Sequence, residues 1–380
     1  MKRDTQLMRA GRAHHGNRPV NPPIERGSTV LAAKAHELYN APAGTPYYGR
    51  NGLAAQSALR EALCEMTNAD YCALTSSGLG AMTLPIIAEA KANSHILAAD
   101  CIYGPTRKFL TEIVTGWGVD VEFFPARCGA EIGTYLKPNT ALIICESPGS
   151  LTFEIQDIPA ISKAAHAMGA KIMVDDTWSA GLNADMLGLG ADYAAQSLTK
   201  YVGGHSDLML GAILARGENA ARIKAVETTL GSHASAEDCF LALRGLRTLP
   251  LRMKQSAAAS VELADRLATH PNVGDVIHPA RNDHPDHALF LRDFTAAAGL
   301  FVVNFPGWDL KRSVRFLDAL KIFGLGFSWG GYESLAIHCD PQLRRQHSTR
   351  HDGALLRFAI GLEDVDDLWN DIEQAISASA

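Results

Sequence analysis

The chain has 380 residues, of which 47% are hydrophobic and 20% are charged, and its formal net charge at pH 7 is −6. This composition is typical of a folded globular protein with large cores, and it excludes a disordered or collagen-like chain. A mildly acidic chain gives no electrostatic reason to expect a nucleic acid or an anionic membrane as a partner. We therefore expect a small-molecule partner.

The cysteines and the N-terminal residues indicate where in the cell the protein is located. The seven cysteines are an odd number without a CxxC pair, and several lie within apolar runs, as reduced core cysteines do. The chain begins Met-Lys-Arg-Asp-Thr, which lacks the apolar segment of a secretory signal, and no run reaches the about 18 apolar residues of a membrane span. The sequence thus predicts a cytoplasmic protein.

The first 50 residues are rich in proline, glycine and aromatic residues and show little periodicity. Such a segment cannot build its own core, so we expect it to lie on other surfaces. From Gly52 to about Met66 apolar residues recur at helical spacing, which predicts the start of a regular domain.

Strand-like and helix-like segments then alternate up to about residue 214. The predicted strands are Tyr71–Thr75, His95–Ala99, Val119–Phe124, Ala141–Cys145, Lys171–Asp175, Ala191–Ser197 and Leu208–Leu214, and the predicted helices open after Gly78, near Pro105 and at Ile158. Apolar strands between amphipathic helices predict an α/β fold with a largely parallel sheet. Ligands of such a fold gather at the carboxyl ends of its strands.

The pattern changes after residue 247, which predicts a smaller α+β domain. Its predicted elements are a long helix from Leu249, strands at Gly299–Phe305 and Leu355–Ile360, and a helix after Glu363. The predicted division is an N-terminal arm at 1–50, an α/β domain at 51–247 and a C-terminal domain at 248–380.

Lys200 stands between a predicted strand and a pair of glycines, in Ser197-Leu-Thr-Lys-Tyr-Val-Gly-Gly-His-Ser-Asp207. The glycines favour a turn, so the amine is expected at a strand end that faces a cleft. Surroundings that lower its pKa would make this amine a nucleophile, and the hydroxyls of Ser197 and Thr199 could bind a phosphate beside it. The combination suggests pyridoxal 5′-phosphate (PLP); the alternative is a tight loop with an incidental lysine.

Asp175 ends an apolar strand 25 residues before Lys200. Its carboxylate could pair with a protonated pyridine nitrogen and keep the cofactor an electron sink, or it could simply cap the following turn. Strand alternation points Asp176 the other way. Asp175 is therefore the predicted ligand of the pyridine nitrogen.

The segment Thr75-Ser-Ser-Gly-Leu-Gly80 lies between a strand and a helix. Its backbone amides and the Ser77 hydroxyl could hold a phosphate at a helix N-terminus. A dinucleotide site is disfavoured, because the third glycine and the following acidic residue of that fingerprint are missing. Tyr103 could stack on a flat cofactor or be an ordinary half-buried aromatic residue.

Several motifs resemble one enzyme family in their order and spacing. They are Tyr48-Gly-Arg50, Ser77-Gly78, Tyr103, Glu146-Ser-Pro-Gly149, Asp175-Asp-Thr-Trp178, Ser197-Leu-Thr-Lys200, Ser328-Trp-Gly-Gly-Tyr-Glu-Ser334 and Gly361-Leu-Glu-Asp-Val-Asp-Asp367. From about residue 20 to its end, the chain is similar to the Cys/Met-metabolism PLP-dependent enzymes, and within them to the bacterial cystathionine β-lyases. The resemblance implies fold type I, with a mostly parallel sheet of the seven-stranded type.

The resemblance also implies roles for single residues. Lys200 would bind PLP covalently and move the Cα proton, Asp175 would hold the pyridine nitrogen, and Tyr103 would stack on the ring. The residues around the phosphate would be Ser77, Gly78, Leu79, Ser197 and Thr199.

On the substrate side, the resemblance implies that Arg357 clamps the α-carboxylate, a bidentate task suited to a guanidinium. Ser328 and Trp329 would lie near the substrate and the lysine. Tyr48 and Arg50 match residues that reach into the neighbouring subunit's site, to its cofactor and substrate. A homodimer is then the minimum catalytic unit, and a homotetramer is the usual state.

The implied reaction is α,β-elimination from L-cystathionine or a related cysteine S-conjugate, which releases a thiol such as homocysteine, with pyruvate and ammonia. Trp329 favours β-elimination, since the γ-acting relatives usually carry a smaller residue there. The alternatives are a γ-lyase or γ-synthase of the same family and, from another class, a PLP-binding protein without turnover. Retention of Lys200, Tyr103 and Arg357 together argues against the last alternative.

Three positions depart from the pattern of the bacterial cystathionine β-lyases. Asn51, Lys108 and Phe327 stand where an arginine, an acidic residue and a tyrosine are common. Lys108 could anchor the distal carboxylate of cystathionine, or the pocket could favour a smaller or uncharged thiol side. The remaining alternative is that Lys108 is a solvated helix residue without a substrate role.

Overall fold

The structure is a computed structural model that describes residues 3–12, 17, 19–42, 44–347 and 351–380. Its helices are α1 (Arg3–Arg9), α2 (Glu37–Asn40), α3 (Ala54–Thr67), α4 (Gly78–Glu89), α5 (Gly104–Phe109), α6 (Ile158–Ala167), α7 (Gly217–Leu230), α8 (Ala236–Leu246), α9 (Leu249–Ala268), α10 (His287–Asp293), α11 (Leu310–Ala319) and α12 (Val365–Ala378). Its strands are β1 (Tyr71–Thr75), β2 (His95–Ala99), β3 (Asp120–Phe124), β4 (Thr140–Glu146), β5 (Lys171–Asp175), β6 (Tyr193–Ser197), β7 (Gly211–Ala215), β8 (Val276–Ile277), β9 (Leu300–Phe305), β10 (Gly324–Leu325), β11 (Leu335–His338) and β12 (Ala354–Ala359).

The larger sheet has seven strands in the order β1-β7-β6-β5-β4-β2-β3. β7 runs antiparallel to both of its neighbours, and the other neighbouring strands are parallel. Every residue of β2 and of β7 is buried, as expected for strands covered on both faces. The predicted mostly parallel α/β sheet is confirmed, and every strand except β7 ends at the same edge.

The smaller sheet has the order β10-β11-β12-β9-β8 and is antiparallel apart from the β10–β11 pair. Aromatic residues such as Phe301, Phe316 and Phe358 pack beside it in a core of their own. The predicted α+β character of the C-terminal part is confirmed. Helix α9 joins the two cores, because Met253 lies in the core of the larger sheet and Leu263 in that of the smaller one.

The residues before Gly49 contribute little to either core. The exception is α1, where Leu7 is buried and packs with the core cluster that contains α3. Further along, Leu31 and Tyr39 are among the most exposed apolar side chains of the described chain. These exposures agree with the expectation that this segment has no core of its own.

Several elements differ from those predicted: some strand ends shift by one or two residues, and the helices α1, α2, α10 and α11 were not predicted. Strand β7 begins at Gly211 rather than at Leu208, because Leu210 pairs with a loop residue: its N–H donates to Thr199 Oγ1 at 3.1 Å and its carbonyl accepts from the Thr199 N–H at 3.2 Å. The strands β8, β10 and β11 were not predicted, since so few residues carry no readable alternation.

Within the described ranges, no helix is long and apolar enough to cross a membrane. The seven cysteines are free thiols, as expected from their odd number and apolar surroundings.

Candidate active site

The loops after β1, β5 and β6 meet at the common edge of the larger sheet. The closest approach is between the first residue of α4 and the last residue of β6: a Cβ at Gly78 would overlap both Cβ and Oγ of Ser197. Only a glycine allows the N-terminus of α4 to lie directly against this strand end. The fold therefore brings Ser77, Gly78 and Ser197 together, as predicted.

The N-terminus of α4 has the features of a phosphate site. Ser77 caps the helix, since its Oγ accepts from the Gly80 N–H at 3.1 Å, and Leu79 is exposed beside it. Free backbone amides at a helix start attract anions. The Thr199 hydroxyl lies in the same loop region but donates to the Leu210 carbonyl at 3.2 Å. Its contact with a phosphate stays a prediction.

The Lys200 amine is half-buried and held by the C-terminal part of the chain. Its Nζ donates to Ser328 Oγ at 2.8 Å and lies 5.5 Å from the centre of the Trp329 ring. Burial lowers the pKa of Lys200 to about 8, with the positive charge of Arg357 acting in the same direction and Asp175 opposing. A lysine with this pKa carries far more of the nucleophilic neutral amine near pH 8 than a solvated one.

Asp175 is the last residue of β5 and faces the same edge. Burial raises its pKa to about 6, although two hydrogen bonds from Thr177 to Oδ1 act against this: one from the N–H at 3.0 Å and one from the hydroxyl at 2.5 Å. The Thr177 hydroxyl accepts in turn from the Ser197 N–H at 2.9 Å. Both hydrogen bonds use Oδ1, so Oδ2 can accept from a protonated ring nitrogen, which would keep the carboxylate ionised.

Tyr103 stands before α5 and is held through its backbone. Its N–H donates to Glu146 Oε2 at 2.6 Å, while the residue is 45% exposed. Glu146 lies directly beside Asp175 in the parallel pairing of β4 and β5. Burial, together with the negative charge of Asp175, raises the pKa of Glu146 well above its ordinary value. Glu146 was predicted only as part of the family motif Glu146-Ser-Pro-Gly149, without a role in the site, although its position at a strand end was a usable signal.

Arg357 on β12 is a buried cation that has no carboxylate partner among the described residues. It is 7% exposed, its Nη2 donates to the Ser328 carbonyl at 3.0 Å, and its buried Nε has no acceptor in the part of the chain that the structure describes. Burial lowers the pKa of Arg357. A buried guanidinium with unused donors is suited to bind an anionic group that enters the site.

Three predicted site residues are not joined to this cluster within the single chain. The guanidinium of Arg50 lies 5.1 Å from the centre of the Tyr48 ring, and both side chains are exposed. The Lys108 side chain is 70% exposed and lies 3.8 Å from Glu112. Their assignment to the site stays a prediction.

The fold and the site together define a PLP-dependent enzyme. The α4 N-terminus suits the phosphate, Asp175 the ring nitrogen, and Lys200 the covalent link to the cofactor. A family model described as "Cys/Met metabolism PLP-dependent enzyme" matches residues 4–377 of the chain. The chain belongs to this family.

Individual relatives cover nearly the whole length. Cystathionine beta-lyase of Bordetella avium is 38% identical, with 99% of this chain and 98% of the relative covered. Cystathionine beta-lyase MetC of Escherichia coli strain K12 is 36% identical, with 98% and 97% covered. The crystal structure of metB from Corynebacterium glutamicum superposes with a TM-score of 0.91 at 29% identity and covers 99% of this chain and 98% of that one.

These comparisons confirm the predicted family, fold type I, the enzyme class and PLP as the cofactor. The relatives' names also agree with the predicted carbon–sulfur lyase chemistry. An amino acid is the substrate class that the family description supports.

Proposed function

We propose that the chain is a carbon–sulfur β-lyase that cleaves L-cystathionine, or a related cysteine S-conjugate, to a thiol, pyruvate and ammonia. The observation that carries the proposal is the group formed by Lys200, Ser328 and Arg357. It combines an amine of lowered pKa, a hydroxyl that accepts a hydrogen bond from this amine, and a buried guanidinium that has no carboxylate partner among the described residues. An amino-acid substrate needs both the amine and the guanidinium.

Bound PLP supplies an electron sink for the negative charge that remains when Cα loses its proton. Asp175 maintains that capacity by favouring a protonated ring nitrogen. Arg357 binds the α-carboxylate, and through its bond to the Ser328 carbonyl it ties the substrate to the segment that also holds Lys200 Nζ. The Lys200 amine then removes the Cα proton as a general base.

Trp329 supports elimination at Cβ rather than at Cγ. Its ring packs against Tyr201 at 5.3 Å between ring centres and lies beside Lys200 Nζ. This large side chain limits the space around the amine. Such a restriction suits β-elimination, in which the amine removes a proton from Cα and none from Cβ. The names of the two lyase relatives support the same reaction.

A product assay on L-cystathionine tests the proposal. We expect pyruvate and homocysteine. Formation of 2-oxobutyrate and cysteine would show a γ-lyase instead, and a PLP-loaded protein with neither product would favour a binding protein without turnover.

The proposal includes a homodimer as the smallest active unit and a cytoplasmic location. The exposed Tyr48, Arg50 and Leu31 in a segment without its own core support subunit contact. The division at residues 50 and 247 also remains part of the proposal, supported by the start of α9 at Leu249.

A further inference from the structure

Arg252, in the first turn of α9, is a buried cation whose partners are all neutral. It is 8% exposed, and no carboxylate pairs with it in the part of the chain that the structure describes. Its Nη1 donates to the Tyr201 carbonyl at 2.7 Å, and its Nη2 donates to the Gly245 carbonyl at 2.7 Å and the Val202 carbonyl at 3.3 Å. Two of these acceptors belong to the residues that directly follow Lys200.

The turn after Lys200 is shaped around this guanidinium. Gly204 has φ +70°, and a Cβ there would overlap Nη1 and Cζ of Arg252. The Gly204 N–H donates to the Lys200 carbonyl at 2.8 Å. The glycine pair that predicted a turn therefore also provides the space in which Arg252 reaches the backbone next to the lysine.

The opposite side of the turn is held by the smaller sheet and the segment of Trp329. The Gly299 N–H donates to the Tyr201 hydroxyl at 2.8 Å, and the Tyr201 ring packs on Trp329. A Cβ at Gly330 would lie 2.8 Å from the Tyr201 nitrogen. Because this side is closely packed, the position of the turn depends on what holds its carbonyls on the other side.

A packing role alone does not account for a charged group here. Burying a charge without a counter-charge is costly, and burial lowers the pKa of Arg252 to about 10. The planar guanidinium, however, can donate to several carbonyls at once, and no other described group donates to the buried carbonyls of Tyr201 and Val202. An apolar side chain would fill the same volume but could not donate hydrogen bonds to the carbonyls of the turn that follows Lys200.

We propose that Arg252 is a positioning residue for Lys200: by binding the carbonyls of Tyr201 and Val202, it keeps the Lys200 amine at Ser328 Oγ and away from solvent. The inference rests on the proposed role of Lys200. These hydrogen bonds of Arg252 to the two carbonyls are called the Arg252 clamp. Loss of the clamp should expose the Lys200 amine to water, which favours its protonated form.

The test compares Arg252→Met and Gly204→Ala in the PLP-loaded enzyme. The first removes the guanidinium, and the second displaces it without changing it. Arg247→Met is the matched control, because Arg247 is also partly buried and donates to a neutral carbonyl, that of Leu7 at 2.6 Å, but does not contact the Lys200 turn. The readouts are the pH midpoint of the absorbance of the bound cofactor, the split between kcat and KM, and thermal unfolding.

We expect both Arg252→Met and Gly204→Ala to raise the pH midpoint by about half a unit or more and to lower kcat about tenfold, with KM changed by less than about threefold. Arg247→Met should lower the unfolding temperature without moving the midpoint. If Arg252→Met behaves like Arg247→Met, Arg252 is only structural and the inference is wrong. Gly204→Ala gives the same decision if Arg252→Met does not fold.

Borohydride reduction followed by peptide mapping separates this inference from the proposed function. A pyridoxyl label on a lysine other than Lys200 in the unaltered enzyme would overturn both. A label on Lys200 together with unmoved midpoints in both variants would overturn the role of Arg252 alone.

Discussion

At Lys200, burial and charge decide the chemistry that the residue can perform. At this position burial and Arg357 lower the pKa to about 8 despite the nearby Asp175, so a much larger fraction of the amine is neutral near physiological pH than in a solvated lysine. The same physical cause acts in the opposite direction on Asp175 and Glu146, whose pKa values burial raises. Each group is thus shifted toward its neutral form.

The lowered pKa of Lys200 predicts how the cofactor-free, full-length chain recaptures PLP. Because only the neutral amine reacts, the rate should rise about tenfold per pH unit below 8 and level off above it. Stopped-flow absorbance measures the rate of PLP binding between pH 6 and pH 10, with Nα-acetyl-lysine, whose ε-amine is free, as the control amine. A rate that still rises steeply above pH 9 would contradict the predicted environment of Lys200.

The position of Lys108 in the structure gives little support to the hypothesis that this residue binds the distal carboxylate of the substrate. Lys108 is solvated in the single chain and pairs with Glu112, so an exposed contact of about 0.2–1 kcal/mol is expected. We therefore expect Lys108→Met to raise KM for cystathionine by less than about fivefold. A rise of tenfold or more for cystathionine, with S-methylcysteine unaffected, would instead establish Lys108 as the anchor of the distal carboxylate.

Among the elements, α4 contributes its N-terminus directly to the site. Its first residue must be glycine, because of the contact with Ser197, and Ser77 completes the helix cap. The absence of a side chain at Gly78 therefore permits the close approach of α4 to β6. The same closeness keeps the free amides of α4 beside the Ser197 hydroxyl.

Gly78→Ala tests this close approach. The added methyl group must push α4 away from Ser197, at a cost of about 1–3 kcal/mol, so we expect a lower unfolding temperature. PLP binding should weaken at least about tenfold, because the amides leave the phosphate. Gly133→Ala is the control, since a Cβ there meets nothing within 4 Å. PLP affinities are measured by fluorescence titration. Equal affinities in the two variants would show that the N-terminus of α4 does not bind the phosphate.

On the scale of the whole molecule, the site joins parts that are far apart in the chain. Ser328 and Arg357 come from the C-terminal part, while Lys200 and Asp175 belong to the edge of the larger sheet. The C-terminal part therefore completes the candidate site that the larger sheet begins.

Hybrid dimers test whether subunits share their sites. Arg50→Ala and Lys200→Ala chains should each be inactive alone, because the first lacks the residue given to the neighbour and the second lacks the amine. Mixed under conditions of subunit exchange, they should recover part of the activity, since some hybrids contain one intact site. Mass spectrometry verifies the exchange. Exchange without recovered activity would show that Arg50 acts within its own chain or not at all.

The sequence by itself determined the fold class and the centre of the site. The alternation of apolar strands with helices, the strand end at Asp175 and the glycines after Lys200 are local patterns, so they are readable without contacts. The resemblance to the family extended the prediction to Arg357 and Ser328. The roles of these two residues depend on contacts between distant parts of the chain, which local sequence patterns do not specify.

Only the tertiary structure decided which groups touch and which charges are buried. The Lys200–Ser328 hydrogen bond joins residues that lie 128 positions apart, and the Arg252 clamp joins residues about 50 apart. Likewise, strand pairing places Glu146 beside Asp175, and Arg357 is buried without a carboxylate partner among the described residues. Hydrogen bonds and pKa shifts arise from neighbours in space, and a linear pattern does not specify those neighbours until the chain has packed.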